Sequence, residues 1–309
     1  MIKRLAFMAL ATAVTLSACN ASAASTPMVT ATMDQPDGLG GPTSASDAAR
    51  RIVSLAPSNT EILFALQAGS QMVGRDSFSD FPAEALQVAD VGGGLMAINT
   101  ELILSVQPDL VLASPLTPPE QIAELEALDL NVHIVPNPTS FDGLFESLLS
   151  VARLTGREAE GQALVAALED RVQAVRAQVE GSAEKPLVYY ELDATDPNAP
   201  YTSGPGTFVD LLINSAGGVN FGADLSGEWV QVSVEALLER QPDVIVLGDY
   251  TYGGVTPEQL RARAGWDALN AVQQDRVFIF DDNLVSRPGP RLVDGLEAMA
   301  KLLHPELVP

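Results

Sequence analysis

The stretch Asn99-Thr-Glu-Leu-Ile-Leu-Ser-Val-Gln-Pro-Asp-Leu-Val-Leu112 returns later in the chain, with substitutions, as Ser233-Val-Glu-Ala-Leu-Leu-Glu-Arg-Gln-Pro-Asp-Val-Ile-Val246. Each copy opens on a polar N-cap candidate and carries a glutamate two residues on. Each then runs through a short apolar helix, breaks at Gln-Pro-Asp and ends on a strand of fully buried type. Repetition of such a unit at long range points to two α/β lobes of like design, and 309 residues suffice for each to bury its own core. Glu101 and Glu235 thus hold equivalent places. A carboxylate in a first helical turn is stabilised by the helix dipole by about 0.3–1 kcal/mol, so capping explains either one alone; for the pair, a functional role is equally open.

The remaining folded part alternates in the same way. Arg51 to Ala56 is β-rich, and Ser58-Asn-Thr-Glu61 has the pattern of a capping box ahead of Ile62, Leu63 and Leu66. Strands are expected at 71–74, 110–113 and 132–135, and helices at 101–106 and 119–128. After Gly181 the alternation resumes through 187–192, 208–215, 234–240, 244–247, 257–269 and 277–280, closing with a helix at 291–303. This order implies parallel sheets covered by helices. Between the lobes, Arg157 to Gly181 contains no proline and places Leu164, Val165, Leu168, Val172, Val175 and Val179 at helical spacing. One helix of about 25 residues extends roughly 37 Å. If it joins the lobes, it limits hinge motion. The expected division is an N-terminal lobe at 50–156, a linking helix at 157–181 and a C-terminal lobe at 182–309.

The first residues read as an address. Lys3 and Arg4 precede an apolar run from Leu5 to Leu16, too short to span a bilayer, and small residues follow. Residues 1–18 are expected to be a signal peptide, and 19–49, rich in Ser, Thr, Ala, Gly and Pro, a flexible tether. Composition then removes whole classes of function. The net charge of −23 repels phosphate backbones, so no nucleic-acid partner is expected. One cysteine, Cys19, and two histidines, His133 and His304, cannot build a disulfide, a Cys-rich zinc site or a Cys/His nucleophile pair. His133 falls in a strand and His304 at a helix end, and both read as structural.

The run Leu16-Ser17-Ala18-Cys19 resembles the lipobox of bacterial lipoproteins, which implies lipidation at Cys19. From Arg51 to Pro305 the chain resembles the substrate-binding proteins of bacterial ABC importers for cobalamin and ferric siderophores, closest to the vitamin B12-binding branch. The residues carrying the resemblance are Arg51-Ile-Val-Ser-Leu-Ala-Pro-Ser-Asn-Thr-Glu61, Phe78-Ser-Asp-Phe-Pro82, Glu101 with Gln107-Pro-Asp109, Tyr201-Thr-Ser-Gly204, Trp229-Val-Gln-Val-Ser233 with Glu235, and Arg287-Pro-Gly-Pro-Arg291. The family fold is α/β, two Rossmann-like lobes joined by one long rigid helix.

The resemblance implies a non-enzymatic, extracytoplasmic, monomeric capture protein, attached to the membrane only through its lipid anchor. Its cargo would be a corrinoid or another metal chelate, haem or a ferric siderophore included, with no covalently bound cofactor and no metal site of its own. Its partner would be an ABC permease dimer with its ATPase, onto which Glu101 and Glu235 would dock. Phe78, Tyr201 and Trp229 fall where the B12-binding branch places aromatic side chains, and flat ligands favour such faces. Gly92-Gly-Gly94, centred on Gly93, and Leu284 fall where that branch carries further aromatics, and this departure leaves the ligand open. Arg287 and Arg291 bracket Pro288-Gly-Pro290; they can neutralise an anionic group of the ligand or pair with nearby Asp281 and Asp282. The competing classes are an extracytoplasmic enzyme on a doubly wound fold and a surface adhesion module. The first finds no G-x-G-x-x-G, P-loop or G-x-S-x-G here, and the second does not account for the internal echo.

Overall fold

The computed structural model describes residues 48–94, 96–182 and 184–307. The expected leader, most of the tether, and Cys19 lie outside the described residues. The first lobe comprises β1 (Ile52–Ser54), α1 (Pro57–Ala65), β2 (Met72–Arg75), α2 (Thr100–Ser105), β3 (Leu110–Ala113), α3 (Pro119–Ala127) and β4 (Val132–Ile134). Two helices follow, α4 (Phe141–Thr155) and α5 (Glu158–Val179). The second lobe contains β5 (Leu187–Glu191), β6 (Tyr201–Ser203), α6 (Phe208–Ser215), β7 (Val219–Asn220), β8 (Trp229–Gln231), α7 (Val234–Arg240) and β9 (Val244–Leu247). It continues through α8 (Tyr250–Gly253), α9 (Pro257–Arg261), α10 (Asn270–Gln273), β10 (Val277–Ile279) and α11 (Leu292–Leu303).

The sheets run β2-β1-β3-β4 and β10-β9-β5-β7, and every pairing within them is parallel. β1 matches β5 and β3 matches β9, so the sequence echo is an echo of topology. It extends to single hydrogen bonds. Proline disfavours the right-handed helical region for the residue before it, and Gln107 and Gln241 turn left-handed instead, at φ 46° and 49°. That turn delivers Asp109 and Asp243 to the start of the neighbouring strand. Asp109 accepts from the Arg50 and Arg51 N–H groups before β1, and Asp243 accepts from the Leu187 N–H that opens β5, at 2.7 Å. Gln-Pro-Asp is therefore a device that ends a helix and pins two adjacent parallel strands.

α5 covers 22 residues, roughly 33 Å at 1.5 Å per residue, and it buries the expected valines and Leu168 on one face. Its partner α4 lies in a segment to which the periodicity reading assigns no element. The two approach closely at Gly161, where a Cβ would stand 2.5 Å from that of Ala152. One continuous core runs from Ile52, Leu63 and Leu110 of the first lobe, through Val165, Val172 and Val179 of α5, to Val188, Val244 and Leu296 of the second. Smaller clusters cover the other faces of the sheets. The brace between the lobes is thus a shared core, of which the helix is one part.

Two local expectations are corrected. The proposed capping box does not form: α1 begins at Pro57, its N-cap Ala56 has no side-chain cap, and Glu61 is buried elsewhere. Proline suits the first helical position because its φ is preset and its missing N–H is no loss there. The expected helix at 257–269 is broken into α9 and a 3₁₀ turn, Trp266–Ala268, entered through Gly265.

Candidate functional site

In open parallel sheets, ligands bind beyond the carboxyl ends of the strands where the chain order reverses. Here that point lies between β1 and β3 in one lobe and between β5 and β9 in the other. The loops at these ends carry large side chains with their faces uncovered.

On the first lobe, Phe78 sits in the loop after β2. Buried Asp76 holds this loop from beneath, accepting the Phe78 N–H at 2.8 Å and the Ser79 hydroxyl, and burial pushes its carboxyl above the usual range. The Phe78 ring is 41% exposed. It lies over Gly94, where a Cβ would stand 2.6 Å from the ring and φ is +68°. An aromatic side chain at 94 would compete with Phe78 for the same space, so the glycines there are the counterpart of the phenylalanine. Gly93 itself is drawn inward, against Asp76, Ile98 and Leu55.

On the second lobe, β6 and β8 form a two-stranded antiparallel ribbon with Ser203 opposite Trp229 and Tyr201 opposite Gln231. Tyr201 and Trp229 are 39% and 38% exposed. The indole leans on Phe208, with ring centroids 5.5 Å apart, which fixes one side of it and leaves the other free. Leu284 is half-buried and packs against the main core, apart from this exposed set.

Arg287 and Arg291 do pair with carboxylates, but Asp281 and Asp282 are not their partners. Both reach across to the first lobe. Arg291 places Nε 2.8 Å and Nη2 2.5 Å from the two oxygens of Glu61, with its guanidinium over the Phe81 ring at 3.9 Å. Arg287 Nη1 lies 2.5 Å from Asp80 and 3.6 Å from Glu61. This contact holds the Asp80 carboxyl below the usual range. Burial outweighs the arginines at Glu61 and raises its carboxyl. Asp282 instead accepts from the Tyr190 hydroxyl, and Asp281 accepts from the Asn283 N–H. Those two carboxylates are already engaged, Asp281 in capping the 3₁₀ turn Asp282–Leu284 and Asp282 in holding the Tyr190 hydroxyl.

Tyr252 is a residue that sequence reasoning missed. It lies in α8, is 65% exposed, donates to Asn283 Oδ1 at 2.7 Å and stands 3.5 Å from Arg287 Nη2. Two tyrosines in Tyr250-Thr-Tyr252 after a buried strand were the available signal. α8 also borders a recess of about 660 Å³ that includes Thr256, Ile279 and Asp281.

Glu101 and Glu235 are both exposed, in the first turns of α2 and α7. The Asn99 and Ser233 side chains cap those turns, accepting from Leu102 and Ala236 N–H groups. Neither glutamate has an ion-pair partner among the described residues. Among the described residues, no three His, Cys, Asp or Glu side chains converge for a metal ion.

The family described as periplasmic binding protein matches residues 52–284. A Bacillus subtilis protein named as an uncharacterized ABC transporter substrate-binding lipoprotein, YvrC, is 34% identical over 262 residues, 83% of this chain and 81% of that one. The crystal structure of the periplasmic vitamin B12 binding protein BtuF of Vibrio cholerae aligns with a TM-score of 0.72 at 30% identity, covering 82% of this chain and 96% of that one. The periplasmic heme-binding protein RhuT from Roseiflexus sp. RS-1 aligns with a TM-score of 0.74 at 30% identity, covering 84% and 99%.

Proposed function

Because this chain belongs to the periplasmic binding protein family, we propose that it captures cobalamin or a related corrinoid between its lobes and hands it to an ABC permease. The observation that carries this reading is the set of uncovered aromatic faces, Phe78 on one lobe and Tyr201 and Trp229 on the other. Each is fixed from behind, by Gly94, the β6–β8 ribbon and Phe208 respectively. Such faces take up large flat ligands at little entropic cost. The cargo brings its own metal shell.

Delivery rests on Glu101 and Glu235. Two exposed carboxylates on matching helices, with their lobes joined through one core, present a fixed pair to permease guanidinium groups, which bind carboxylates bidentately. Such contacts set register more than affinity. Cys19 anchors the protein outside the cytoplasmic membrane, a reading supported by Leu16-Ser17-Ala18-Cys19 and by the lipoprotein name of the Bacillus relative.

One observation favours a second cargo. Tyr252 offers an exposed phenol beside Arg287, and a tyrosine oxygen is an established axial ligand for haem iron. Titration with cyanocobalamin, haemin and a ferric siderophore, followed through tryptophan fluorescence, tests both. The chain has two tryptophans, and Trp266 is buried, so a saturable signal at one equivalent is expected from Trp229. No saturable change with any of the three would remove the reading.

A further inference from the structure

The second lobe buries a pair of carboxylates that the capture role does not require. Glu191 closes β5 with no exposure, and Arg263 answers it with both ends of its guanidinium, Nη1 2.6 Å from Oε2 and Nη2 2.8 Å from Oε1. The guanidinium lies 4.7 Å from the Trp266 ring. That pair is complete and neutral. Asp249 sits against it, 6% exposed, and neither of its carboxylate oxygens has a hydrogen-bond partner. The groups facing it are Glu191, Tyr189 and Tyr190 from β5 and Arg263 from the segment after α9. The one cation among them is already held by Glu191.

An ionised Asp249 would be a buried charge beside a like charge, without a counter-ion of its own. A protonated Asp249 carries the donor that can bond to Glu191. Burial, reinforced by the Glu191 charge, pushes the Asp249 carboxyl up to about 7. Asp249 also immediately precedes α8, and its carbonyl accepts the Gly253 N–H of that helix at 2.7 Å, so a shift of this residue bears directly on α8. Side-chain ties on α8 are few. Tyr252 donates to Asn283, Thr251 Oγ1 accepts from the Asp282 N–H at 3.3 Å, and Tyr252 stands near Arg287.

We propose that Asp249 and Glu191 hold one proton between them, and that this proton keeps α8 and its exposed tyrosines seated, so that this helix loosens above neutral pH. A carboxyl raised in the folded state is stabilising only while protonated. Its contribution is therefore lost as pH rises from the ordinary carboxylate range through the folded value. The device works without regard to which chelate is bound.

Hydrogen exchange at residues 249–254 of the full-length protein and its D249N variant tests this, because asparagine mimics the protonated acid. At about pH 8.5 the ionised form exceeds the neutral one by about 30-fold. Protection of α8 in the wild type is then expected to fall about tenfold or more below that of D249N, whereas the two should agree at about pH 6. Equal protection at the higher pH would overturn the proposal. A wild-type measurement stands beside it should D249N fail to fold. In protein with carboxyl-labelled aspartate, the resonance assigned to Asp249 is expected to titrate near pH 7, and its titration below about pH 6 would overturn the proposal equally.

Discussion

Replacing Arg291 by methionine probes the tie between the lobes. Glu61 is 3% exposed and takes two N–H groups from Arg291, with Arg287 3.6 Å away. Methionine retains an apolar stem over Phe81 and removes the donors. Deleting one member of a buried pair costs about 3–5 kcal/mol, because the other charge is left uncompensated. Here Arg287 remains and the Arg291 side chain is 17% exposed, which sets the expected loss at the low end, about 3 kcal/mol. The pH dependence is more discriminating. Burial already raises Glu61, and Arg291 is the strongest influence opposing it, so removing the arginine raises the carboxyl further. A carboxyl raised by folding destabilises the fold when ionised. The loss is therefore full above the folded pKa and fades as pH falls toward the ordinary value. Urea unfolding of R291M and wild type should show a loss of about 3 kcal/mol near pH 8, much less near pH 5, and an unchanged m-value. A loss below about 1 kcal/mol near pH 8, or an equal loss at both, would refute the reasoning.

Other substitutions test the proposed ligand contacts and the proposed docking glutamates. G94A places a methyl 2.6 Å from the Phe78 ring at a left-handed backbone position; it should lower stability by about 1 kcal/mol and weaken ligand binding, as calorimetry and ligand titration would reveal. W229A should weaken binding by about 1 kcal/mol, roughly fivefold in Kd, and an unchanged Kd would remove the indole from the site. Reversing both Glu101 and Glu235 to arginine should abolish uptake in cells while ligand affinity holds; loss of affinity with normal permease association would refute the docking assignment.

The two-lobe design was legible because the Gln-Pro-Asp break repeats along the sequence: proline excludes one backbone region and the preceding glutamine turns, whereas the strand whose first N–H groups each aspartate meets lies 58 or 56 residues earlier. α5 was legible for a similar reason, since its buried positions recur at helical spacing within one segment. The exposure of the candidate site residues was legible in part. Phe78, Tyr201 and Trp229 emerge with uncovered faces. Tyr252 did not stand out, because its place depends on Asn283 and Arg287, which are distant in sequence. Glu61 was misassigned for the same cause: a helix cap and an inter-lobe ion pair present the same residue type at the same spacing.

What the amino-acid order alone determined was the succession of strands and helices in two like halves, the long helix and the equivalent glutamates, all of which rest on patterns visible along the chain. Tertiary structure decided which arginine met which carboxylate, that the lobes share a core, and that Asp249 lies beside Glu191 without a partner. Those outcomes depend on burial and on charges brought together from distant parts of the chain, and the energy of a buried charge is set by what surrounds it in space.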